Sequence, residues 1–280
     1  MVNLLLTVAK IIAGIMGRSS AMIADGVHSF SDISTDIAVI FGLKVADKPR
    51  DESHDFGHGK FETLVTAFIG LFLIAVSGGI VYSSGTGIIK FINGEAPQRP
   101  GWIAVGAALL SIILKEVLFW YTLKVAEKIG SKALKANAWH HRTDSLSSIA
   151  VLIGVGGAII LGGKWTILDP IAALVVSVLI VKVAWDLLKE ALMELSEASL
   201  DKGTEEKIME IIETVEGAND PHNLRTRNIG SDIAIDVHIK APGELSLTQA
   251  HEISLEVENR LRDEFGKDTF VHVHMDPQDV

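Results

Sequence analysis

The chain has no cysteine. A disulfide framework and thiolate metal sites are therefore excluded, and any bound metal must use nitrogen and oxygen donors. No Pro- or Ser-rich linker separates the apolar part from the tail, so the tail is expected to continue stiffly from the last apolar segment. The HExxH spacing of zinc proteases is also missing. The stretch HEISL at His251 has no second histidine four residues on, which sets aside an intramembrane metalloprotease. The start does not read as a cleaved signal peptide, which would have a basic beginning and a small-residue cleavage site. Leu4 to Gly17 is short for a membrane span, and the expectation is a first helix whose start has been lost or trimmed.

What is present is apolar. Hydrophobic residues make up 48% of 280 positions and mean hydropathy is positive. They gather into runs at Leu4 to Gly17, Ser20 to Ala46, Leu64 to Ile92, Trp102 to Val125, Ala136 to Gly162 and Ile167 to Leu195. Each must be a helix, because lipid offers the backbone no other hydrogen-bond partner. The expected fold class is an α-helical membrane protein with a six-helix transmembrane bundle over residues 1–200 and a C-terminal α+β domain over residues 201–280. Charge divides the chain at the same place. From Asp201 onward there are 18 acidic against 8 basic residues, which accounts for the whole net charge of -10. Nucleic acid is not expected as a partner. Lys44, Lys48, Arg50, Lys60, Lys124, Lys128, Lys132 and Lys135 outnumber Arg18, Lys90, Arg99 and Lys164 on the opposite side. The first group of loops is therefore predicted to be cytoplasmic, with both termini beside it.

In the tail, DKGTEEKIMEIIETVEG places Ile208, Ile211, Ile212 and Val215 on one helical face before Gly217. NLRTRNIG and IAIDVHIKA alternate as strands do, with a turn at Gly230 and Ser231. A second helical segment starting near Ser246 and a last strand, TFVHVHMD, complete the order αββαβ.

The apolar runs contain ionisable residues. In the second, MIADGVHSFSDISTD puts Asp25, His28 and Asp32 on one helical face. In the fifth, His140 and Asp144 repeat the His-x-x-x-Asp spacing. A charge at the bilayer centre costs at least ~2.5–3.5 kcal/mol, and such residues face partners or watered cavities and mark ion paths. Two imidazoles and two carboxylates form a tetrahedral set suited to Zn2+. The competing reading is a structural polar interface between helices. Asp25, one turn before His28, is read as a helix cap, a proton relay or part of the exit. The loop DESHDFGHGKFE offers Asp51, His54 and His58 for one divalent ion. The tail carries His222, His238, His251, His272 and His274, and the alternation of the last strand aims His272, His274 and Asp276 at one face.

From Asn3 to Pro277 these residues resemble the cation diffusion facilitators. SSAMIADGVHSFSDISTD is similar to that family's second helix, FGHGKFE to its following loop, and KANAWHHRTDSLSS to its fifth helix. LDPIAALVVS is similar to its sixth, and HNLRTRNIGSDIAIDVHI with VHMDP to its cytoplasmic domain. The resemblance implies a homodimer in the cell inner (plasma) membrane. Such a protein would have a metallochaperone-like tail and would move Zn2+ or a similar ion (Cd2+, Co2+, Fe2+, Mn2+) out of the cytoplasm in exchange for protons, as a transporter and not an enzyme. Carried over, the transport site would be His28, Asp32, His140 and Asp144, and the loop site Asp51, His54 and His58. A tail binuclear site would take His222, His238, His251, His274 and Asp276, and Lys60 with Glu194 would form a charge pair at the dimer seam. The histidine at position 28 resembles zinc-selective members. The alternative function is a membrane-bound sensor or scaffold that binds metal without moving it.

Overall fold

A computed structural model describes residues 2–46, 48, 51–95, 97–129 and 132–278, with the side chains of 2, 35–46, 126, 129, 132–137, 140 and 141 outside the description. Six long helices come first: α1 (Val2–Met16), α2 (Ser20–Ala46), α3 (Lys60–Ile92), α4 (Trp102–Ile129), α5 (Lys132–Leu161) and α6 (Leu168–Leu195), with a 3-10 turn at Gly163–Ile167. Then follow α7 (Lys202–Glu213), β1 (Asn219–Ile229), β2 (Asp232–Ala241), α8 (Leu247–Phe265) and β3 (Phe270–Pro277). Among the described residues, Lys60–Ile92, Trp102–Val125, Arg142–Leu161 and Gly163–Leu195 are long and apolar enough to cross a membrane, and Asn3–Met16 is a shorter apolar helix.

The chain divides into two compact units, Met1–Ile37 with Phe68–Leu188, and Ala38–Ala67 with Lys189–Val280. In the first unit, α4 packs along α5 and α1 against α4. Its core is built largely from small residues such as Ala13, Ala21, Ala24, Ala104, Ala108 and Ala173, which let helix backbones approach closely. Asp169, at the start of α6, accepts from the backbone amides of Ser20 (2.8 Å) and Ala21 (3.4 Å) and from the Ser19 hydroxyl (2.5 Å). It thereby satisfies amide groups that the first turn of α2 leaves open. Gly154 of α5 lies so close to α6 that a Cβ there would overlap the Ala172 methyl.

The second unit holds the tail. β1 and β2 are antiparallel, β2 and β3 parallel, in the order β1-β2-β3. Ile208 and Ile212 of α7 and Val257 and Leu261 of α8 bury against Ile235, Val237 and Ile239 of the sheet. Ser246 and Gln249 form a reciprocal capping box at the start of α8. Two details differ from expectation. α7 ends at Glu213, because the chain turns through Thr214 toward Gly217 at φ 89°. β1 begins at Asn219, earlier than the alternation suggests, because register shifts on either side of His222 break the period-two pattern.

In the same unit, the Lys60 ammonium at the start of α3 pairs with Glu197, and Glu197 also pairs with Arg227 of β1 at 3.1 Å. Within one chain the partner of Lys60 is therefore Glu197. Glu194 accepts instead from the Thr63 hydroxyl (2.7 Å) and the Gly230 amide (2.8 Å). Gly59 lies against the Ile229 carbonyl, where a Cβ would overlap the oxygen, so only glycine fits this approach.

Candidate metal centre

Helical spacing brings His28 and Asp32 to one face of α2, and α5 presents Asp144. The three residues offer ligand atoms that lie within 4.8 Å of one another. Asp144 is buried and Asp32 partly so. His140 lies one turn before Asp144 in α5, and its side chain is outside the described residues. Lys115 of α4 enters this group, with its ammonium 3.0 Å from an Asp144 oxygen and 4.0 Å from one of Asp32. The arrangement gathers two carboxylates and an imidazole around a point where a cation is favoured.

Asp25 shares the α2 face and is fully buried, and, standing inside α2 five residues after its start, it is not a helix cap. Lys10 of α1 pairs with it at 2.8 Å, and the hydroxyls of Ser147 and Ser148 donate to its two oxygens at 3.0 and 2.9 Å. Lys10 also donates to Ser29 and Ser148, each at 3.0 Å. Arg142 stands apart from the ligands, over the Phe119 ring and 3.5 Å from Glu116. The side chain of His141 is outside the described residues.

In the second unit Asp51, His54 and His58 also form a group within 4.8 Å. Asp51 sits 3.5 Å from His54 Nδ1 and 3.4 Å from His58 Nε2. The buried Nδ1 of His58 has no hydrogen-bond partner. The Ser53 hydroxyl and amide, followed by the His54 amide, hold the Asp51 carboxyl down to about 2 from 3.8. Since the folded value lies below the unfolded one, ionisation of Asp51 favours the folded loop above about pH 3.8. That preference fades as pH falls toward about 2. Ser53→Ala should raise the Asp51 midpoint toward 3.8, read by carboxyl NMR on the labelled full chain. An unchanged midpoint would remove the Ser53 hydroxyl as the cause.

On the tail sheet, the register shifts around His222 set it opposite His238, which is in turn opposite His274. His222, His238 and Asp276 form the third group within 4.8 Å, and His274 Nε2 lies 3.3 Å from Asp276. A hydrogen bond from His238, with His274 and His222 nearby, holds the Asp276 carboxyl below the usual range. His272 faces Asp236 at 3.5 Å, and His251 is exposed on α8; neither belongs to this group of three.

Sequence comparison bears on what this arrangement serves. Residues 1–196 match the profile described as the cation efflux transmembrane domain, and residues 200–278 match that of the cation efflux protein cytoplasmic domain. The chain belongs to the cation diffusion facilitator family. This facilitator is thus a multi-pass membrane protein of a family of cation efflux transporters, not enzymes. It is 34% identical to the manganese efflux system protein MneP of Bacillus subtilis, over 98% of this chain and 92% of the relative. An uncharacterised transporter of Methanocaldococcus jannaschii is 37% identical over 97% of this chain and 94% of the relative. Metal tolerance protein 2 of rice (Oryza sativa subsp. japonica) is 36% identical over 98% and 75%.

Sequence reasoning missed two groups in this facilitator, Lys10 and Lys115. The signal was available, since each lysine stands in a mostly apolar run (TVAKIIAG, SIILKEVL) and an ammonium at that depth requires a partner.

Proposed function

We propose that this facilitator exports Zn2+ from the cytoplasm in exchange for protons, by alternating access of a site made from His28, Asp32, His140 and Asp144. The observation that carries the reading is the convergence of His28 and Asp32 on α2 with Asp144 on α5, within 4.8 Å and inside the apolar unit. Two carboxylates neutralise a divalent ion, and two imidazoles complete a nitrogen and oxygen set that suits Zn2+ better than the oxygen-rich shell preferred by Mn2+. Imidazole binds metal only when neutral, so protons and metal compete for the same nitrogens. That competition operates near neutral pH and gives the exchange its chemical basis.

The working unit in this reading is a homodimer in the plasma membrane with both termini cytoplasmic. Metal at the loop residues Asp51, His54 and His58, and at His222, His238, His251, His274 and Asp276 of the tail, offsets the repulsion between two acidic tail domains. The name of the B. subtilis relative favours a second reading, with Mn2+ as cargo. The test is metal uptake into liposomes carrying the purified chain under an imposed pH gradient, with Zn2+, Mn2+, Cd2+, Co2+ and Fe2+ in competition. Zn2+ flux that follows the gradient is the expected result. Binding without flux would instead favour the sensor or scaffold.

A further inference from the structure

Among the described residues two lysines are buried in the apolar unit, and they are held differently. Lys10 has a carboxylate outside the proposed ligand set, Asp25, and two serines complete its hydrogen bonds. Lys115 is equally buried, at 3% exposure, but its ion pairs are to Asp144 and Asp32, the two carboxylates assigned to the cargo. An ammonium 3.0 Å from one and 4.0 Å from the other stands where a divalent ion bridging them would place its own charge. The two cations repel each other and draw on the same two carboxylates, so each weakens the hold on the other.

We propose that Lys115 is a tethered competing cation, which covers the transport carboxylates between cargo ions and must swing aside for each metal to bind. This rests on the functional reading above. The lysine stem has four carbons and a compact charged end, so it can withdraw without moving α4. With metal gone, two carboxylate charges at membrane depth would be costly, and the returning ammonium offsets one of them. A site closed in this way binds its cargo more weakly than its ligands alone would, by the fraction of time that it stands uncovered. Weaker binding serves an exporter, which has to release the ion it carries.

Calorimetric titration of Zn2+ and Mn2+ into the purified full chain in detergent tests this, with wild type, Lys115→Met, Lys115→Gln, Lys115→Arg and Asp144→Ala compared. The expected result is that Asp144→Ala loses one class of site. Lys115→Met and Lys115→Gln bind metal at that site about tenfold tighter or more, as removal of a cover in place ~90% of the time requires. Lys115→Arg, which keeps the charge, binds no tighter than wild type. A lysine that merely supports the fold would give weaker or unchanged binding when removed. The proposal is overturned if Asp144→Ala loses the site while neither neutral variant tightens it, or if Lys115→Arg tightens it equally. Should Asp144→Ala bind like wild type, the transport site itself is misassigned and the competing cation falls with it. Lys115→Gln retains polarity and keeps the comparison interpretable if the Met variant does not fold.

Discussion

Asp144→Ala is expected to lower metal flux by at least ~100-fold while leaving assembly of the proposed dimer unchanged. Loss even of an outer-shell partner commonly costs 10–100-fold in metal affinity, and Asp144 would contact the ion directly. It supplies the only carboxylate that α5 brings to the group formed with His28 and Asp32. Without it a divalent ion faces a single carboxylate, and Lys115 loses its nearer partner. Both changes oppose a cation in the site. Asp144→Asn separates them, because it keeps an oxygen donor and removes the charge; its flux should fall between wild type and Ala. Initial uptake rates in liposomes and size-exclusion mass measurement give the two readouts. Robust pH-driven transport by Asp144→Ala would defeat the assignment.

Lys10→Met should cost stability more than any substitution at the surface. All three ammonium donors of Lys10 are engaged by Asp25, Ser29 and Ser148, and the pair is 1% and 0% exposed. Removing one partner strands the Asp25 carboxylate in the apolar core, which for a buried ion pair costs about 3–5 kcal/mol. Replacing both partners avoids the stranded charge, so Lys10→Met with Asp25→Leu should recover most of the loss. Thermal unfolding of the detergent-solubilised protein, followed by the monodisperse fraction, would show a large fall for the single variant and a partial return for the double. A single variant as stable as wild type would mean that the pair contributes little.

Much of this was legible in the sequence, for identifiable reasons. Helical order in lipid is dictated by the backbone, so the apolar runs located all six helices, with ends within about four residues because α3, α4 and α5 run on into polar residues such as Lys60, Lys128 and Lys132. The i, i+4 spacing in α2 placed His28 with Asp32, and strand alternation placed His274 with Asp276. Local periodicity could not supply partners from distant segments. The partners of Lys10 and Lys115 were hidden because their carboxylates come from other helices. Glu194, the partner expected for Lys60, lies one turn before Glu197, and only the fold shows Glu194 engaged by Thr63 and Gly230. The alignment of His222 with His238 depends on bulges that no alternation pattern announces.

The grip of Asp169 on the first turn of α2 has a mechanical outcome. Together with the tight seat of Gly154 against Ala172, it fastens α2, α5 and α6 near the end of the bundle that holds Ser19. Asp32 lies twelve residues beyond Ser20, about 18 Å along the axis. A rod clamped at one end and loaded at that distance is a lever, and a tilt of about 10° carries its far point about 3 Å. That exceeds the few tenths of an ångström over which a coordination bond survives. Parting α2 from α5 at the proposed site therefore takes only a slight splay, but that splay also has to break the Ser147 and Ser148 bonds to Asp25, while the fulcrum stays intact.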